Sequence, residues 1–254
     1  PDEYADHDAV ALGACIARRE VSVAEVVDVA IYSIEQLNPR LNAVVANRFD
    51  AARAEARAMD GTRRQDTGPL WGVPFLLKDV NLYSQEPTRF ASRFFADAGP
   101  KGESTMVRRW RAGGLVILGT TNTPEFAADF TTEPAAYGPC RNPWNANVTV
   151  GGSSGGAGAA VAAGMVPLAH GTDLGGSIRI PAACCGVFGF KPSAGLNPLG
   201  PFCEEIAGGL DADHVLTRTV RDSAATLDLT AGPDAGTRIG LRPPRNGFLR
   251  ALDE

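Results

Sequence analysis

Apolar and polar positions recur along this chain with two different periods. Near the N-terminus the period is helical. Ser22-Val-Ala-Glu25 reads as a capping box, and Val26, Ala30, Ile34 and Leu37 follow on one face. Pro39 is expected to end that helix. DAARAEARAM (50–59) predicts a second helix, and the polar run GTRRQDTGP (61–69) predicts a loop. From residue 72 the pattern changes. GVPFLLKDV (72–80) and LVILG (115–119) are short continuous apolar runs, the mark of strands buried on both sides. Between them, Ser104 caps the helix STMVRRWRA and Gly113 stops it.

The alternation continues. Thr123-Pro124-Glu125 predicts a further helix, with Pro at its favoured first position. VGGSSGGAGAA (150–160) is a glycine-serine loop running into an alanine-rich helix, and MVPLAHG (165–171) predicts another strand. TDLGGSIRIP (172–181) is a second glycine loop in which Pro181 opens a short helix, and GVFGFKP (186–192) is apolar again. Thr219-Val-Arg-Asp222 caps a helix that ends near Gly232-Pro233. Strands interleaved with helices predict an α/β fold, a central sheet covered by helices on both faces. With no internal repeat and no clear linker, residues 1–254 read as a single domain: N-terminal helices over 1–60 and a core over 68–232.

Composition narrows the functional classes. A net charge of −5 does not suggest a basic surface, so no nucleic-acid partner is expected. Only Lys78, Lys101 and Lys191 are lysines, so few candidates compete for a role that needs an amine. Lys101, in GPKGES, reads as a surface loop residue. The five cysteines are odd in number and form no CxxC pair, which suits a reducing cytoplasm. His7, His170 and His214 lie far apart in no ligand motif, and neither a metal nor a cofactor is expected. No run approaches the roughly 20 apolar residues of a membrane helix, and the acidic PDEYADHDAV start lacks a signal-peptide pattern. The absence of an initiator Met points to a start that was trimmed or is incomplete.

The first glycine loop has neither the Lys-Ser/Thr ending of a phosphate loop nor the GxGxxG spacing of a dinucleotide site. The histidines sit in no recognisable triad context, and His170 reads as a packed strand-end residue. Cys184 and Cys185 sit in apolar PAACCGVFG, where packing is the better reading. Serine with lysine remains. A serine hydroxyl attacks only when something takes its proton, and a lysine can take it only when neutral. The lysine reference value of about 10.4 must fall by roughly three units, which an apolar setting can cause. Lys78 follows Pro74-Phe75-Leu76-Leu77, so partial burial fits, but taken alone it reads better as an amine paired with Asp79 or reaching solvent. Lys191 lies in an equally apolar run, and composition does not separate the two.

Three segments together resemble the amidase-signature enzymes: GVPFLLKDV (72–80), GGSSGGAGAA (151–160) and GTDLGGSIRIPAACCGVFGFKPS (171–193). The resemblance extends over nearly the whole chain and implies that family's mixed sheet. It implies that Lys78 is the catalytic lysine, that Ser153 follows a cis peptide bond, and that Ser177 is the acylated nucleophile. It places the oxyanion hole at the backbone amides of Leu174, Gly175, Gly176 and Ser177, with Ser154 in support. Asp173 and Arg179 then form a pair that holds the loop, or a surface pair. Members are usually longer, so the chain is expected to be an N-terminal portion or a natural truncation, incomplete at its C-terminus.

The stretch TTEPAAYGPCRNPWN (131–145) resembles amidases related to aminohexanoate cyclic-dimer hydrolases, which implies a small or linear aliphatic amide as substrate. Two alternatives stay open: the glutaminase subunit of a tRNA-dependent amidotransferase, and a catalytically idle scaffold. A homodimer is compatible with any of these.

Overall fold

The computed structural model describes residues 2–62, 68–83, 85–95 and 102–253. Most of the loop expected at 61–69, and Lys101, lie outside the described residues. Among those described, eight α-helices accompany six strands. The helices are α1 (Asp2–Asp6), α2 (Ala9–Ala17), α3 (Val23–Leu41), α4 (Phe49–Asp60), α5 (Thr105–Ala112), α6 (Gly155–Ala162), α7 (Arg179–Cys185) and α8 (Val220–Thr230). The strands are β1 (Val44–Asn47), β2 (Pro74–Lys78), β3 (Val116–Thr121), β4 (Leu168–Thr172), β5 (Phe188–Gly189) and β6 (Asp213–Thr217). They form one mixed sheet in the order β1-β3-β2-β4-β6-β5. β2 runs parallel to both its neighbours, β3 and β4, while the outer pairings are antiparallel. All five residues of β2 are buried. Because side chains alternate between faces along a strand, both faces are covered there.

Local signals account for most boundaries. The Ser22 hydroxyl accepts from the Glu25 amide at 3.1 Å, and the Glu25 carboxylate accepts from the Ser22 amide at 2.8 Å. This box opens α3, whose apolar face is buried. Pro39 does not end α3. The helix continues to Leu41 and stops at Asn42, in the left-handed region. A proline in the last turn removes one donor only, and the Asn38 side chain accepts the Ala43 and Val44 amides just beyond. The helix expected from Thr123 is a single 3-10 turn, Glu125–Ala127. Phe126 there has φ 53°, and a right-handed helix cannot propagate through a left-handed residue. α7 begins at Arg179, so Pro181 lies inside its first turn rather than at its start.

Two contacts set the geometry around the sheet centre. α6 lies against β2, β3, β4 and β6. At Gly156 a Cβ would fall 2.4 Å from the Asn122 nitrogen and 2.6 Å from the Ala43 oxygen, so only glycine admits this approach. α5 buries Trp110, whose ring centroid lies 5.0 Å from Phe75 and 4.8 Å from His170. The Ser104 hydroxyl opens α5 by accepting from the Val107 amide at 3.1 Å. Replacing Ser104 with Ala should lower stability by about 1 kcal/mol, read as a shifted denaturant midpoint with an unchanged slope.

The N-terminal helices are fastened to the far end of the chain. Asp222 of α8 accepts from the Ala9 and Val10 amides, both at 2.9 Å, at the start of α2. Among the described residues no helix is long and apolar enough to cross a membrane.

Candidate active site

β2 ends in Lys78, which is fully buried. Its Nζ lies 2.7 Å from the Ser153 Oγ and 2.7 Å from the Thr172 Oγ1. The parallel pairing of β2 with β4 makes this possible, bringing together residues 94 positions apart in sequence. Burial pushes Lys78 down to about 7, against the opposing pull of Asp213, Asp211 and Asp173. A neutral amine in this place can donate to Thr172 and take a proton from Ser153. Asp79 is not its partner. That carboxylate accepts from the Arg89 and Ala91 amides, at 2.9 and 3.0 Å, and from the Tyr137 hydroxyl at 2.8 Å. Lys191 stands elsewhere, its Nζ 3.3 Å from the Pro192 carbonyl oxygen.

The first glycine loop presents Ser153 from the sequence just before α6. The Gly152–Ser153 peptide bond is cis. The Ser154 amide donates to the Ser177 carbonyl at 3.2 Å, which ties the two glycine loops together. The Ser154 hydroxyl lies 3.3 Å from the Thr172 amide, which donates to it. Ser177 is 7% exposed. Its hydroxyl makes no hydrogen bond among the described residues, so Ser153 and Ser177 are neighbours through their loops rather than joined through their hydroxyls. Catalytic hydrogen bonds are often open before substrate binds.

The second loop is built around Asp173, fully buried. Its carboxylate accepts from the amides of Gly176 at 2.7 Å, Ile178 at 3.1 Å and Arg179 at 3.3 Å. The Arg179 guanidinium adds contacts at 2.9 and 2.8 Å. Burial pushes this carboxyl up, but Arg179 and the amides outweigh it and hold it below the usual carboxylate range. The Asp173–Arg179 ion pair thus closes across residues 173–179 of this loop.

One oxyanion expectation changes. Gly176 has φ +131°, a conformation that favours glycine, and its amide goes to Asp173 rather than toward the space beside Ser177. The amides of Leu174, Gly175 and Ser177 donate no hydrogen bond among the described residues. They are the donors this loop has left to offer.

Four polar residues at the site were not singled out for it from the sequence: Thr172, His170, Asn81 and Asp213. His170 is buried as expected of a packed strand-end residue, but its Nδ1 also accepts from the Lys78 backbone amide at 3.2 Å. The strand expected at 165–171 stops one residue short of Thr172; extended to Thr172, it puts 170 and 172 on one face. Cys185 packs with its Sγ 3.6 Å from the Val150 carbonyl oxygen, its thiol pushed up to about 12 by burial.

Comparison with known proteins shows the family. The Amidase family profile matches residues 25–249. The 6-aminohexanoate-cyclic-dimer hydrolase of Paenarthrobacter ureafaciens is 42% identical over 252 residues, covering 97% of this chain and 50% of that protein. One component of the glutamyl-tRNA(Gln) amidotransferase of Nitratidesulfovibrio vulgaris is 41% identical over 240 residues, covering 93% and 48%. The solved structure of 6-aminohexanoate cyclic dimer hydrolase complexed with substrate superposes with a TM-score of 0.90 at 36% identity, covering all of this chain and 52% of that one. The chain spans about half the length of the curated relatives it matches. A profile match across most of the length, with a buried lysine set against a glycine-flanked serine pair, assigns the chain to the Amidase family.

Proposed function

We propose that this chain carries the reaction centre of an amidase that hydrolyses a carboxamide to a carboxylate and an amine or ammonia. The observation that carries the reading is the buried Lys78 amine 2.7 Å from Ser153, on a loop tied to that of Ser177. Lys78 takes the Ser153 proton as Ser153 takes that of Ser177. The Ser177 Oγ attacks the carbonyl carbon, and the oxygen that gains charge faces the Leu174, Gly175 and Ser177 amides. Each such donor is typically worth about 3–4 kcal/mol in the transition state. The proton on Lys78 returns through Ser153 to the leaving nitrogen, whose bond to carbon breaks. Water then cleaves the ester on Ser177, restoring the hydroxyl and releasing the acid.

A small or linear aliphatic amide is the proposed substrate, in keeping with the hydrolase relative. A glutaminase role alongside a separate partner protein is the second reading, favoured by the match to the amidotransferase component. A cytoplasmic setting belongs to the same proposal and rests on five unpaired cysteines. Exposure to a fluorophosphonate should label Ser177, identified by mass spectrometry of the peptide. Label on Ser153, Cys184 or Cys185 instead would sink the assignment, and no label would favour an idle scaffold. Turnover of simple aliphatic amides by the chain alone, set against turnover of glutamine, separates the two active readings.

A further inference from the structure

Asp213 opens β6 directly across the antiparallel ladder from Thr172 of β4. Paired residues of neighbouring strands present their side chains on the same face. Thr172 is the residue that receives the Lys78 amine, so a buried carboxylate stands beside the base. It is held there. The Asp213 Oδ2 accepts from the Asn81 side-chain amide at 3.2 Å and lies 3.6 Å from the His170 Nε2. The His170 Nδ1 accepts the Lys78 backbone N–H, which places the ring's own proton on Nε2, toward Asp213. The imidazole thus touches Lys78 with one nitrogen and faces the carboxylate with the other.

The other groups around the amine are accounted for. Just beyond β2, Asp79 is committed to two amides and Tyr137. β3 contributes the Thr121 hydroxyl, which donates to the Leu77 carbonyl. β4 contributes His170 and, just beyond its end, Asp173, which is engaged by Arg179. Asp211 precedes β6 and is itself pushed up to about 6 by burial and by Asp213. His214 is bonded to Ser223, away from this face. The serine loop brings only hydroxyls.

We propose that Asp213 is a positioning residue for the base, a carboxylate fixed by Asn81 and His170 that governs how tightly Lys78 holds its proton. This rests on the reading of Lys78 as the base. The physical reason is simple. A nearby negative charge favours the ammonium form and opposes burial, which favours the neutral amine. Of the three carboxylates that pull Lys78 upward, Asp213 acts most strongly. Without it the amine becomes neutral at lower pH but a weaker acceptor.

The test follows Lys78 itself rather than turnover, so it succeeds or fails independently of the amidase reading. With three lysines in the chain, εC-13 and ζN-15 labelled lysine gives three resolvable signals, assigned with Lys101→Arg and Lys191→Arg variants. In the parent, Lys78 should titrate near 7. Asp213→Asn should lower that midpoint by about one pH unit, and Asp213→Glu should restore it. Asp213→Thr, neutral and suited to a strand, repeats the measurement if the Asn variant does not fold. A Lys78 midpoint unchanged in either neutral variant would overturn the proposal. Collapse of both neutral variants would assign Asp213 to folding and overturn it as well.

Discussion

Replacing Lys78 with Ala should abolish amide turnover while leaving the fold nearly intact. Loss of a general base typically costs 10²–10⁴-fold, and here the same group also returns the proton to the leaving nitrogen. The fold should survive because the amine's contacts are two hydroxyls, Ser153 and Thr172, rather than a buried ion pair. The pH profile supplies a second readout. Only the neutral amine can accept a proton, so parent activity should rise as pH passes through about 7. Lys191→Ala is the control. Among the described residues its amine reaches only the adjacent Pro192 carbonyl, so it should alter stability through its methylene stem and leave the rate unchanged. Equal rates for parent and Lys78→Ala, measured where both are folded, would end the mechanism.

Asp173→Ala should be the most damaging change to the loop itself. It leaves the buried Gly176 and Ile178 amides without an acceptor and the Arg179 guanidinium without its partner. Each N–H left buried and unpaired costs about 1–3 kcal/mol. The loop would then relax, and with it the neighbouring amides of Leu174, Gly175 and Ser177. Thermal unfolding should move down by several degrees, and fluorophosphonate labelling of Ser177 should slow by about 10²-fold or more. The pH dependence has a definite sign. The folded carboxyl is held low, so its contribution is present above the unfolded value near 4 and is lost as pH falls through the folded one. The variant should lack that acid-side loss. Unchanged labelling in a folded Asp173→Ala protein would show that the loop keeps its shape without the carboxylate.

Much of this was legible in the sequence because it is local. The Ser22–Glu25 box, the Ser104 cap and the apolar run before Lys78 each depend on a few adjacent residues, and each stands where the sequence puts it. Pro39 and Thr123 misled for a related reason. A proline's effect depends on which turn it occupies, and the turn at 125–127 is set by backbone conformations that composition does not reveal. The site divides the same way. Lys78, Ser153 and Ser177 stood out by residue type and by family resemblance. Thr172, His170 and Asp213 became visible only through strand register, which sets residues 170, 172 and 213 on one face, within reach of Lys78 at the end of β2. The Gly176 amide is a third kind of case. Its direction follows from one positive φ and one buried carboxylate.

The bond from Asp222 to the start of α2 has a consequence for synthesis. It spans 213 residues, so the carboxylate that accepts the Ala9 amide is made long after α2 itself. At roughly 5–20 residues per second, translation imposes a delay of about 10–40 seconds between the two. During that interval the Asp8 side chain caps the first turn of α2 through the Ala11 amide, and the apolar side chains Leu12 and Ile16 await the elements that cover them. α2 should therefore acquire protection from amide exchange late, together with α8, on a stalled-ribosome series of increasing chain length.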